Sequence, residues 1–136
     1  MVQNSMAPAQ PVSVLLVDED EISRETITRL VYFKLPQLKL HVSEGIVAAL
    51  EVCEQHKIDI IIVDIATNEH LSCEYINKVR ATNNKIKFIL VTSHSQPDDI
   101  KDIGCINDCS LAQMPIDLTQ LLILIQKNVA IIEGTK

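Results

Sequence analysis

Tryptophan is absent from this chain of 136 residues, and aromatic residues of any kind make up only 3% of it. A core without large rings has to be assembled from Ile, Leu and Val, which the 47% hydrophobic content supplies. That composition suits parallel strands buried on both faces beneath helices. Positive charge is also scarce, with 12 Lys and Arg against 18 Asp and Glu for a net charge of −6. Attraction to nucleic-acid phosphates needs a concentrated basic patch, so this chain is not expected to bind nucleic acid; a protein or a cation is the favoured partner. Glycine occurs three times and never in the turn after the first apolar run. A nucleotide- or flavin-binding domain would need a Gly-rich phosphate cradle there. Long hydrophobic runs are missing as well: "LLILIQKNVAII" is broken by Gln126, Lys127 and Asn128, and falls short of the roughly 20 residues that span a bilayer. No membrane span is expected. The four cysteines, Cys53, Cys73, Cys105 and Cys109, form no CxxC pair, and no charged-then-apolar leader opens the chain. The expectation is reduced thiols in the cytoplasm.

What is present is one domain's worth of alternating patterns. Residues 1–11, with two prolines and no apolar period, read as a flexible tail; residues 12–133 form the domain, and 134–136 a short carboxyl tail. "VSVLLVD" (12–18) reads as the first strand, followed by a helix from Ile22 to Lys34 that Pro36 ends, with Ile27, Leu30 and Val31 inward. "LKLHVS" alternates as a second strand. The next helix carries Ile46, Ala49, Leu50 and Cys53 at i, i+3, i+4, i+7. "IDIIIVD" and "IKFILVT" are fully buried strands; between them Ser72 is expected to cap a third helix bearing Ile76 and Val79. A shorter helix starts at Pro97 and Asp98, with Ile100, Ile103 and Ile106 inward and Gly104 within it, and "CSLAQM" is a fifth strand. The last helix begins at the capping residue Asp117 and runs to Glu133, with Leu118, Leu121, Leu122, Ile125, Val129 and Ile132 on one side. Strict alternation of five strands and five helices predicts an α/β, flavodoxin-like, doubly wound (βα)5 fold with a five-stranded parallel sheet.

In such a sheet, sites form beyond the carboxyl ends of the strands. The first strand ends in Asp18, Glu19 and Asp20, the third in Asp64, the fourth in Thr92 and Ser93, and the fifth at Met114. Asp20 has an ordinary explanation as a helix cap. Two separate apolar strands both ending in Val-Asp do not, since folding requires neither carboxylate at the rim. Carboxylates gathered there cannot all ionise comfortably without a cation, and oxygen-only ligands suit Mg²⁺ or another hard divalent ion. His70 and His94 are placed in the loops after strands three and four and read as solvated side chains, since no rigid element gives them ligand spacing.

These residues resemble the receiver domain of two-component response regulators, the CheY-like family, from about Ser13 to Glu133. The resemblance matches the family's acidic pair with Asp18 and Glu19, its following arginine with Arg24, its phosphoacceptor with Asp64 and its hydroxyl residue with Thr92. It implies Mg²⁺ held by Asp18, Glu19, Asp64 and the backbone carbonyl of Ala66, and a phosphoryl group taken by Asp64 and contacted by Thr92. It further implies a histidine kinase or phosphotransfer protein as partner, in two-component phosphorelay signalling through protein contacts with no substrate turned over.

The pattern departs from the family at three places. Met114 stands where a lysine pairs with the phosphoryl group, Leu111 where an aromatic switch residue is usual, and Asn68 and Ser72 where the loop after strand three carries Pro and Gly. A thioether neither donates a hydrogen bond nor carries charge; His94 or Lys101, expected near the rim, could supply a substitute cation, but both read first as ordinary surface residues. The alternative reading is accordingly a pseudo-receiver, an interaction and dimerisation module that works without phosphorylation. Ile123, Leu124 and Ile131, left over on the outer side of the last helix, are its candidate interface for a homodimer or partner.

Overall fold

The computed structural model describes residues 10–64, 69–92, 109–113 and 117–134. Within them, branched aliphatic runs form five strands: β1 (Ser13–Val17), β2 (Lys39–Ser43), β3 (Ile60–Asp64), β4 (Lys87–Thr92) and β5 (Ser110–Gln113). Four helices lie between or after them: α1 (Glu21–Lys34), α2 (Ile46–Gln55), α3 (Glu69–Thr82) and α4 (Leu118–Gly134). All strand pairs are parallel, and the sheet order is β2-β1-β3-β4-β5. The chain therefore reverses direction across the sheet at β1, which places the ends of β1 and β3 side by side. This is the α/β doubly wound architecture expected from the alternating patterns.

The period of two along each strand divides the core into two layers. Leu15, Val17, Ile61, Val63, Phe88 and Leu90 point to one face, where Ala49 of α2 and Tyr75, Ile76 and Val79 of α3 cover them. Val14, Leu16, Ile60, Ile62, Ile89 and Val91 point to the other, beneath Ile27 and Val31 of α1 and Leu121 and Ile125 of α4. Each such side chain removed from water contributes about 1.5–3 kcal/mol. β2 is the edge strand and reads accordingly: its residues are mostly part-exposed, with only Ser43 buried.

Local chemistry sets the element ends. Asp20 caps α1, its Oδ2 accepting from the Ser23 N–H at 2.8 Å. Leu35 closes that helix, its N–H donating to the Val31 carbonyl at 2.9 Å, and Pro36 bars continuation. Asp117 caps α4 by accepting from the N–H groups of Thr119 and Gln120 at 2.9 and 3.2 Å. At the amino ends of the central strands, Asp59 Oδ2 accepts from the Ser13 N–H at 2.8 Å, while the Asp59 backbone bonds to Ser13 and Lys87. One residue thus ties the starts of β1, β3 and β4.

Four expectations need correction. Ser72 lies inside α3, which begins at Glu69, so it is not that helix's cap; His70 is likewise helical and not in a loop. A helix can start wherever its backbone is accommodated, and the apolar stripe from Ile76 marks only its buried part. Leu118, the first residue of α4, is exposed, because the stripe that meets the sheet starts one turn later at Leu121. Leu124 is half-buried and packs on the second core layer, so the outward side of α4 is left to Ile123 and Ile131. The expected helix from Pro97, with Ile100, Ile103, Gly104 and Ile106, lies outside the described residues, as do the first nine residues of the tail.

Candidate functional site

Asp18 follows the last residue of β1 and continues its ladder by one bond, its N–H donating to the Ser43 carbonyl of β2 at 3.1 Å. This carries the carboxylate to the rim yet leaves it only 3% exposed. Oδ1 of Asp18 accepts from the Asp20 N–H at 2.9 Å. Arg24, one turn into α1, does not pair with the Asp18 carboxylate. Its Nη1 donates to the backbone carbonyls of Asp18 and Glu19 at 3.0 and 3.5 Å, and its Nη2 lies 3.6 Å from Glu44 Oε1. The arginine therefore fastens the β1–α1 turn to the turn after β2.

Asp64 closes β3. Val17 is in register with Val63, so Asp18 and Asp64 are the next residues on two adjacent strands. The two carboxylates interact: Asp18 is pushed up from 3.8 to about 6, first by burial and then by the charges of Asp64 and Asp20. The Asp20 N–H and Arg24 act in the opposite direction without offsetting this. Asp64 is in register with Val91 of β4, which places Thr92 one residue beyond it at the same rim. Thr92 is in turn in register with Gln113, the residue before Met114. Side chains of Thr92 and His70, together with Ala66, His94, Lys101 and Met114, lie outside the described residues.

Glu19 is exposed beside this pair. Among the described residues no three His, Cys, Asp or Glu side chains gather in the manner of a closed metal cage. What the fold brings together is the pair Asp18 and Asp64. Two carboxylates whose joint ionisation is opposed suit a hard divalent cation that keeps several of its waters, as Mg²⁺ does. Sequence reasoning missed the parts played by Ser43, whose carbonyl anchors Asp18, and by Glu44, which pairs with Arg24. No residue pattern marks either role, since both depend on β2 lying next to β1.

The profile of the response regulator receiver domain matches residues 14–122. The chain belongs to this family. Its fold is shared by a CheY-like response regulator receiver domain protein from Methanospirillum hungatei, with a TM-score of 0.79 at 16% identity, covering 93% of this chain and 99% of that one. The signal receiver domain of an HD domain-containing protein from Pseudomonas fluorescens is similar at a TM-score of 0.75 and 20% identity, covering 88% and 95% of the two chains. In sequence the receiver is 28% identical, over 90 residues or 66% of its length, to a cyclic di-GMP phosphodiesterase of Thermotoga maritima. That match spans 23% of the phosphodiesterase. Among the described residues of the receiver, no helix is long and apolar enough to cross a membrane.

Proposed function

We propose that this receiver relays a signal by accepting a phosphoryl group on Asp64. The observation that supports it is the Asp18–Asp64 pair: two carboxylates set at adjacent strand ends, one of them held against its own ionisation first by burial and then by the charge of the other. In the proposed step an Asp64 oxygen forms a bond to phosphorus as the bond from phosphorus to the histidine nitrogen of a kinase or phosphotransfer protein breaks. The imidazole leaves with its electron pair, and the product is an acyl phosphate. Asp18, Asp64, Glu19 and the Ala66 carbonyl would hold Mg²⁺ or another divalent cation, which supplies charge neutralisation at the phosphoryl oxygens. Thr92, at the end of β4, contributes its hydroxyl to the new phosphoryl group. The output is a protein contact made in the cytoplasm, with the exposed Ile123 and Ile131 of α4 as its surface.

Acetyl phosphate with Mg²⁺ tests this reading by intact mass. One phosphoryl adduct on the wild type and none on Asp64→Asn supports the relay. If neither protein gains an adduct and Mg²⁺ does not bind, the domain is a pseudo-receiver, the reading that Met114 in the lysine position favours.

A further inference from the structure

Away from the strand-end carboxylates, two imidazoles stand together at the edge of the sheet. His41 lies in β2, in register with Leu15 of β1. His56 caps the carboxyl end of α2, its N–H donating to the Val52 carbonyl at 2.9 Å. Their ring centroids are 4.5 Å apart, with the planes inclined at 34°. The His56 ring is exposed and reachable from solvent, while His41 is half-buried behind it. Nε2 of His41 is buried without a hydrogen-bond partner, which holds for no other side-chain nitrogen or oxygen among the described residues. Such an atom has given up its hydrogen bond to water and gained none in return. A fold that keeps it so, with a second imidazole directly beside it, has the makings of a ligand site.

The spacing fits a shared ion. With metal–nitrogen bonds of about 2.0–2.1 Å, two imidazoles meeting one ion at angles between square and tetrahedral have centroids about 4.5–5 Å apart. The observed separation is at the short end of that range, and the exposed His56 has room to turn into place. We propose that His41 and His56 form a two-histidine site for an imidazole-preferring divalent transition metal such as Zn²⁺ or Ni²⁺, with water filling the remaining positions. The donor type separates it from the strand-end pair: imidazole selects these ions, whereas the carboxylates select a hard ion such as Mg²⁺. No third His, Cys, Asp or Glu joins it among the described residues, so binding rests on the chelate of two rings. The ion would join the end of α2 to the exposed edge strand and fix that border of the sheet.

The test uses the full chain, stripped of metal with a chelator and titrated with Zn²⁺, while the histidine ring signals are followed by NMR and the unfolding midpoint is recorded. The signals of His41 and His56 shift together, those of His70 and His94 do not, and the midpoint rises. His56→Gln alters an exposed side chain and leaves the fold in place; it weakens Zn²⁺ binding by about tenfold or more because one ring of the chelate is lost. His41→Gln does the same. Mg²⁺ at equal concentration leaves both rings unperturbed. Unmoved His41 and His56 signals, or a Zn²⁺ affinity unchanged by His56→Gln, would overturn the proposal.

Discussion

Asp18 and Asp64 are the first residues past the register pair of Val17 and Val63, and the charge on Asp64 helps to hold Asp18 protonated up to about pH 6. The folded protein thus carries a carboxyl group at a place where its ionised form is unwelcome. Burial of Asp18 creates most of that conflict and the charges of Asp64 and Asp20 add to it, while Arg24, which fastens the loop between β1 and α1, relieves part of it.

Removing the charge should stabilise the metal-free protein. The folded value of Asp18 lies above its unfolded value of 3.8, so its contribution to stability is complete below pH 3.8 and lost as pH rises through about 6. Asp18→Asn keeps the shape and an acceptor for the Asp20 N–H. In urea titrations it should exceed the wild type by on the order of 1–3 kcal/mol above that range, and the difference should vanish in acid. Saturating Mg²⁺ should narrow the gap by stabilising the wild type alone.

The lysine position offers a gain of function. By the resemblance to the receiver family, Met114→Lys supplies the ammonium that would pair with the phosphoryl group, and it should raise the rate of acetyl phosphate labelling by roughly 100-fold or more. Stopped time courses read by mass measure it. An unchanged rate would show that the missing ammonium is not the limiting defect.

Asp59 acts at the opposite ends of the strands. Asp59→Ala removes the acceptor that holds the Ser13 N–H at 2.8 Å. The loss should be about 1–3 kcal/mol of stability, read from urea midpoints. Mg²⁺ affinity should stay unchanged, since the site lies at the other rim.

Alkali should act through one contact between α2 and α3. Burial pushes the Tyr75 hydroxyl above 10.0 and the Cys53 thiol above 9.0, and the two groups lie 3.5 Å apart. For both, the folded value exceeds the unfolded one. The stability they contribute is therefore present below their ordinary values and lost as pH climbs through the raised ones. Tyr75→Phe should lower stability by about 1 kcal/mol at neutral pH and flatten the alkaline decline, as thermal melts across that range would record.

The sheet and its layers were legible because buried strands and amphipathic helices carry their period openly: Ile60 to Val63 and Ile27 with Val31 face where their spacing places them. Asp20 and Asp117 are caps for a reason equally local. The site was legible only in part. Asp18 and Asp64 could be placed at strand ends from their own runs, but their proximity depends on β1 and β3 being neighbours, which no local pattern states. Glu19 follows Asp18 in sequence and still faces solvent, because it lies past the end of β1 in the turn that leads to α1. The roles of Ser43 and Glu44, and the buried Asn128 that donates to Ser110 Oγ and the Leu124 carbonyl, arise wholly from tertiary neighbours. Ser72 lies inside α3 although its type favours a cap, because a local preference of this size yields to where the rest of the helix is held.

Chemical trapping tests the central claim most directly. An aspartyl phosphate is reduced by borohydride to homoserine, which marks the acceptor within the sequence. After treatment with acetyl phosphate and Mg²⁺, reduction and peptide sequencing, homoserine is expected at position 64 and nowhere else. Homoserine at another aspartate, or at none while Mg²⁺ is bound, would contradict the assignment of Asp64 as the phosphoacceptor.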